Sequence, residues 1–135
     1  MTAPRKPLVA LAAGGTGGHV VPALAVAEAL RGAGIETLVM TDRRGASLIP
    51  AEGRVVLPAA SPFRRGLFTR LAAMAKLATG AVMALLLMLK RRPAAMVGFG
   101  GYPSFAPWLA ARLLGVPSLL HEPNAFLGRA RPLLA

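Results

Sequence analysis

The stretch Leu8–Pro22, LVALAAGGTGGHVVP, decides the fold. An apolar run, Leu8–Ala13, halts at Gly14-Gly15-Thr16-Gly17-Gly18, and a helical pattern follows from His19. A short continuous apolar run is the mark of a strand covered on both faces. Such a strand, turning sharply on glycine into a helix, aims backbone N–H groups and the positive helix end at one spot. That geometry suits an anion, most often a phosphate. Glycine serves the turn because a Cβ would forbid its backbone angles and keep a ligand at a distance. Neither common nucleotide fingerprint is present. Aligning Gly15 and Gly17 with the first two glycines of G-x-G-x-x-G puts Val20 at the third, and no Gly-Lys-Ser/Thr follows.

The same alternation continues along the chain. Val20–Arg31 reads as a helix, with Pro22 in its first turn, where a missing N–H is harmless. Glu36–Thr41 is a strand, Asp42–Gly45 its exit loop, Ala46–Ala51 a short helix and Arg54–Leu57 a third strand. A long helix over Leu67–Lys90 leads to a fourth strand, Ala95–Phe99, which again ends on glycines in Gly98-Phe99-Gly100-Gly101-Tyr102. Ser104–Leu114 is a helix, and Val116–Leu120 a fifth strand running into His121-Glu122-Pro123-Asn124. Ala125–Ala135 starts another helix without a stop signal, so the sequence reads as cut off. Strands alternating with helices predict an α/β fold, a doubly wound Rossmann-like parallel sheet with right-handed crossovers. In the order 3-2-1-4-5 the first and fourth strands are neighbours, and ligands bind in the crevice beyond their carboxyl ends. Both glycine loops and His121–Asn124 then converge there.

With 135 residues, 55% of them apolar, the chain makes one domain or a piece of something larger. Having no cysteine, it has no disulfide framework, zinc–thiolate site or thiol nucleophile. The net charge of +11 is uneven: the acids are Glu28, Glu36, Asp42, Glu52 and Glu122, so residues 53–121 carry none. A one-sign field suggests a polyanionic partner, either an acidic membrane surface or a phosphorylated substrate. Aromatics are sparse and not interleaved with the cations, which disfavours nucleic acid. Arg5 and Lys6 precede an apolar run too short for a signal peptide, so the N-terminus reads as a cytoplasmic strand.

His19, at a helix N-terminus, is favoured in its neutral, base-competent form and is placed to take a proton from a sugar hydroxyl. His121 and Glu122 face the same crevice. Thr16 offers a hydroxyl, Gly100 and Gly101 offer amides to a diphosphate, Tyr102 a hydroxyl or a stacking face, and Asn124 a donor and acceptor. The bland readings are a helix-capping His19 and a His121 that only satisfies loop backbone. No metal or other cofactor is expected, since the two histidines lack ligand spacing and no acidic cluster exists. Asp42, ending the second strand, would suit a ribose hydroxyl, with Arg43 and Arg44 for a 2′-phosphate. That rival, an NADP-type oxidoreductase domain, lacks the third glycine, and Asp42 reads better as a solvated loop residue.

Residues 62–92, PFRRGLFTRLAAMAKLATGAVMALLLMLKRR, are basic at both ends and apolar between. Leu71–Leu89 would reach about 28 Å as a helix, close to a hydrocarbon core. Lys76 interrupts the run, however, and a parallel sheet needs a crossover helix here. The favoured reading has one side of the helix on the sheet and the other against lipid, with cations on anionic headgroups. Phe63, Leu67 and Phe68 would dip into the interface beside Arg64, Arg65 and Arg70. A membrane-spanning helix and a purely structural crossover are the alternatives.

GGTGGHVVPALAVAEAL, VGFGGYPS and the HEPN segment together resemble the MurG family of peptidoglycan glycosyltransferases, over essentially the whole chain. The resemblance implies a two-domain GT-B enzyme about two and a half times longer, of which residues 1–135 are the acceptor-binding N-terminal domain, incomplete at its C-terminus, with the donor-binding domain absent. It implies inverting transfer of N-acetylglucosamine (GlcNAc) from UDP-GlcNAc to undecaprenyl-diphosphate-linked MurNAc-pentapeptide (lipid I), giving lipid II, at the cytoplasmic face of the inner membrane. By position, Thr16, Gly17, Gly18 and Asn124 match donor contacts, and His19 matches the proposed general base for the muramoyl 4-hydroxyl. Gly100, Gly101 and Tyr102, with His121 and Glu122, match the acceptor and diphosphate side. The basic apolar helix, with Phe63 to Arg70, matches the membrane-docking patch. Pro123 departs from the family's glutamine, removing an amide side chain and a backbone N–H. A non-enzymatic membrane scaffold is the remaining alternative, and the fragment alone is expected to be inactive.

Overall fold

The computed structural model describes residues 6–60 and 65–121, apart from the Tyr102 side chain. In chain order the elements are β1 (Leu8–Ala12), α1 (Gly17–Gly32), β2 (Glu36–Thr41), α2 (Arg43–Ala46), β3 (Arg54–Val56), α3 (Leu67–Arg91) and β4 (Ala95–Gly98). A 3-10 turn (Tyr102–Ser104), α4 (Phe105–Leu114) and β5 (Ser118–Leu120) follow. The five strands form one sheet in the order β3-β2-β1-β4-β5, with every pair parallel. This is the expected doubly wound arrangement, with its switch point between β1 and β4.

Alternation along the strands feeds two cores. Ala10 and Ala12 of β1, Met40 of β2 and Met96 of β4 point to one face, where Ala84 and Met88 of α3 and Ala110 and Ala111 of α4 cover them. Leu11, Val39 and Phe99 point to the other, under Val20, Ala23 and Ala27 of α1. With both faces buried, the strands need no polar alternation, which is why they read as plain apolar runs. The register places Ala12, Met40, Gly98 and Leu120 in one row across the sheet. Everything immediately after that row shares one edge: the first glycine loop, Asp42, the second glycine loop and His121.

Helix boundaries need correction: α1 begins at Gly17, so Pro22 lies inside it and not in its first turn. The short helix after β2 is Arg43–Ala46, not Ala46–Ala51, because Asp42 caps it and accepts the Gly45 N–H at 2.9 Å. A side-chain N-cap decided the start where apolar content did not. The long helix α3 packs on the domain along one face, as the favoured reading of a crossover helix expects. Ala73, Leu77, Gly80, Ala84 and Met88 bury one face of it, and it packs beside α4.

Gly80 is where α3 approaches most closely. A Cβ there would lie 2.5 Å from the Pro58 carbonyl oxygen and 3.4 Å from Ala106 Cβ. Alanine is about 1 kcal/mol better than glycine inside a helix, but forcing a methyl against backbone costs about 1–3 kcal/mol. Gly80→Ala is therefore expected to destabilise by about 1 kcal/mol. Gly32→Ala in α1, with nothing within 4 Å, should be neutral or mildly stabilising. Urea melts of the pair check the opposite signs.

Candidate functional site

The first glycine loop is held from below by an acid. Asp42 is only 6% exposed, and its Oδ1 accepts the N–H of Gly15 at 3.1 Å as well as that of Gly45. A Cβ on Gly14 would sit 2.8 Å from that oxygen and 2.8 Å from Pro103 Cγ, so only glycine fits between them. The reading of Asp42 as a solvated loop residue is thus corrected. Its carboxylate ties β2's exit to β1's exit, and Oδ1 is already taken by two backbone amides where a ribose contact would need it. Oδ2 lies 3.6 Å from Nε of the exposed Arg44.

The second loop leans on the first. Gly101 has φ +80°, and a Cβ there would lie 3.2 Å from the Gly14 carbonyl oxygen and 3.3 Å from His19 Nδ1. Absence of a side chain is thus required twice, by the left-handed backbone and by the imidazole against it. Ser104, fully buried, places its hydroxyl 2.8 Å from the Gly100 carbonyl and 3.0 Å from that of Ala12. The Ala12 carbonyl also accepts the Phe99 N–H at 2.8 Å. Two loops more than eighty residues apart in sequence are therefore stitched together through one carbonyl at the end of β1.

His19 stands at this seam, half-buried, in the first turn of α1. Its Nδ1 lies 3.3 Å from the Gly14 carbonyl oxygen and 3.3 Å from Thr16 Oγ1. A carbonyl only accepts, so when the ring is neutral its proton belongs on Nδ1, which leaves the Nε2 lone pair available as a base. Thr16 is the N-cap of α1 but makes no side-chain capping bond. Among the described residues, no acceptor engages the N–H groups of Gly17 and Gly18. These amides, at the positive end of a sixteen-residue helix, are an open anion cradle.

His121 follows β5 on the same edge and donates its N–H to the Gly98 carbonyl at 2.7 Å. Its exposed ring tilts against buried Phe99, with centroids 5.4 Å apart. The structure thus brings together Thr16, Gly17, Gly18, His19, Gly100 and Gly101, with the Tyr102 backbone in the adjoining turn. Glu122, Pro123 and Asn124, like Phe63 and Arg64, lie outside the described residues. Arg65, Leu67, Phe68 and Arg70 form the exposed start of α3. Sequence reasoning missed Ser104 and the structural role of Asp42. The Asp-x-x-Gly spacing after a strand was a usable capping signal for the second.

Known proteins resemble this chain in sequence and fold. The sequence profile of the glycosyltransferase family 28 N-terminal domain matches residues 9–135. The chain is 49% identical over 133 residues to the UDP-N-acetylglucosamine–N-acetylmuramyl-(pentapeptide) pyrophosphoryl-undecaprenol N-acetylglucosamine transferase of Methylobacterium nodulans, covering 96% of this chain and 36% of that protein. It is 44% identical over 132 residues to the protein of the same name from Rhodopseudomonas palustris, covering 96% and 35%. The crystal structure of Acinetobacter baumannii MurG superposes with a TM-score of 0.76 at 32% identity, over 95% of this chain and 37% of that one. The chain thus spans about a third of the length of the relatives it matches. Its sheet is the Rossmann-like N-terminal half of a GT-B glycosyltransferase. With profile, sheet order and paired glycine loops in agreement, the chain belongs to glycosyltransferase family 28, as its N-terminal domain.

Proposed function

We propose that this chain is the acceptor-binding half of an inverting N-acetylglucosaminyltransferase that converts undecaprenyl-diphosphate-linked MurNAc-pentapeptide to its disaccharide with UDP-GlcNAc as donor. The observation that carries the reading is His19, held between two glycine loops with Nδ1 against the Gly14 carbonyl and Nε2 left as a base. The names of the relatives support the substrates. Nε2 takes the proton of the muramoyl 4-hydroxyl as its oxygen bonds to the anomeric carbon. The bond from that carbon to the diphosphate breaks on the opposite side, and UDP leaves with the electron pair. The Gly17 and Gly18 amides and Thr16 face the donor diphosphate, and Asn124 is assigned to the donor by its match to the family. Gly100, Gly101 and Tyr102, with His121 and Glu122, serve the acceptor side. Preorganised amides of this kind stabilise developing charge without reorganising during the reaction.

The same reading puts the protein on the cytoplasmic face of the inner membrane as a peripheral enzyme. On α3, Leu67, Leu71, Met74, Val82, Leu86 and Leu89 are exposed on the side away from the sheet. An uncovered apolar stripe bracketed by cations fits an anionic bilayer. Acceptor-dependent UDP release by the intact protein, given UDP-GlcNAc and the lipid-linked muramoyl pentapeptide, is the direct test. No such release sinks the reading. Turnover by residues 1–135 alone sinks the claim that a second domain holds the donor.

A further inference from the structure

At the edge of the sheet opposite the site, α3 ends in a second charged feature. A cleft of about 600 Å³ opens there between the start of β1 and the end of α3, lined by Lys6, Lys90, Arg91 and Arg92 with Glu36 as its one acid. All four cations are exposed, and among the described residues none of their side chains has an ion-pair or hydrogen-bond partner. Other cations are engaged internally: Arg31 and Arg54 donate to backbone carbonyls. Lys90 and Arg91 suit the negative end of any helix. Lys6 does not have that explanation, and Arg92, although it too stands at the helix C-cap, occupies a backbone position that favours glycine. Arg92 sits at φ +50°, the one described non-glycine residue with positive φ, directly before Pro93. Glycine is the easier residue at such a C-cap, so a cation is kept there at the expense of backbone comfort. Lys6 reaches the cleft from a different segment.

We propose that this cleft is a phosphate-headgroup site that holds the far end of α3 on an anionic bilayer, so that the helix lies flat along its whole length. The inference rests on the membrane reading above and deepens it. Its geometry follows from the fold. A crossover helix runs antiparallel to the strands it joins, so α3 begins beside the crevice edge and ends at the opposite one. Its twenty-five residues span about 37 Å, with exposed leucines from Leu67 to Leu89. Cations stand at both ends, Arg65 and Arg70 at the first and the four-cation cleft at the second. A second copy of this chain is a poor occupant, since an antiparallel pairing of the stripes would set these like charges against each other. Lipid phosphates at both ends match the charge. Flat docking lays the strands along the membrane and opens the crevice sideways, whereas docking by the Phe68 end alone points the crevice at the bilayer.

Residues 1–135 contain no cysteine, so a single label can be placed here once any cysteine elsewhere in the intact protein has been replaced. Single-cysteine variants Phe68→Cys and Leu89→Cys of the intact protein, at positions 85% and 51% exposed, carry a polarity-sensitive fluorophore. Phosphatidylglycerol vesicles containing spin-labelled lipid act as quencher. Quenching at both positions is expected. Each Lys or Arg near an anionic surface contributes about fivefold to partitioning, so Lys90→Gln/Arg91→Gln/Arg92→Gln together should weaken vesicle affinity about a hundredfold and release the Leu89 probe before the Phe68 probe. Arg92→Gly should weaken binding about fivefold while raising the melting temperature, which separates lipid binding from stability. A quenched Phe68 probe with an unquenched Leu89 probe overturns flat anchoring but leaves the membrane reading standing. Quenching at neither position overturns both. A Leu89 probe already shielded before lipid is added means that protein covers the stripe, and the proposal fails.

Discussion

Replacing His19 with alanine in the intact protein is expected to lower acceptor-dependent UDP release by about a hundredfold to ten-thousandfold, the usual range for removing a positioned general base. The effect should fall on kcat with little change in KM, because in the proposed mechanism the group acts on a proton in flight and holds neither substrate. The fold should survive. The first turn of α1 keeps the bonds from the His19 and Val20 amides to the Thr16 carbonyl, and the ring is only half-buried. His19→Gln serves as the control for bulk: it refills the space beside Gly101 but supplies no base, so it should be as inactive as the alanine variant. Activity within threefold of wild type in either variant would move the base elsewhere and leave His19 as a spacer between loops.

Asp42→Ala carries the largest expected loss of stability. It strips the acceptor from two backbone N–H groups, Gly15 and Gly45, in a place where water has little access. Hydrogen bonds to a charged group contribute about 1.5–3 kcal/mol each, and abandoned buried donors add their own desolvation. A total of about 3–6 kcal/mol is expected by urea denaturation, with transfer reduced as well because Gly15 belongs to the loop carrying Thr16 to His19. Asp42→Asn keeps an oxygen in position and should lose less than half as much. Arg44→Ala should be nearly neutral, because an exposed guanidinium 3.6 Å from the carboxylate contributes little in water. If Arg44→Ala proved as damaging as Asp42→Ala, the ion pair and not the amide tie would hold the loop.

The strands, their parallel order and the edge where ligands gather were legible because those features are written locally. Leu8–Ala13 and Ala95–Phe99 are apolar without alternation, Glu36–Thr41 has an apolar centre, and each is followed by glycine or a polar turn. Strand boundaries shifted by a residue or two, the fifth strand starting at Ser118 and not at Val116, while the starts of α1 and α2 shifted by three. What stayed hidden was tertiary. Asp42 looked solvated because Asp-Arg-Arg-Gly is a typical exposed turn, and its partner Gly15 lies 27 positions away. Ser104 looked like an ordinary helix start, yet its hydroxyl reaches the Ala12 carbonyl across 92 positions. Neither bond has a local signature. His19 was picked out for the neighbouring glycines, but which ring nitrogen stays available depends on the Gly14 carbonyl. That is geometry no spacing rule supplies.

The stitching of the crevice floor has a mechanical consequence. Bonds from Asp42 and Ser104, with the Phe99 amide, link the ends of β1, β2 and β4 into one brace. A ligand landing there meets amides that are already ordered, so little of its binding energy goes to freezing loops. The same brace leaves this surface almost no room for induced fit. The glycine loops then act as a fixed anvil, against which a ligand must adjust its own shape.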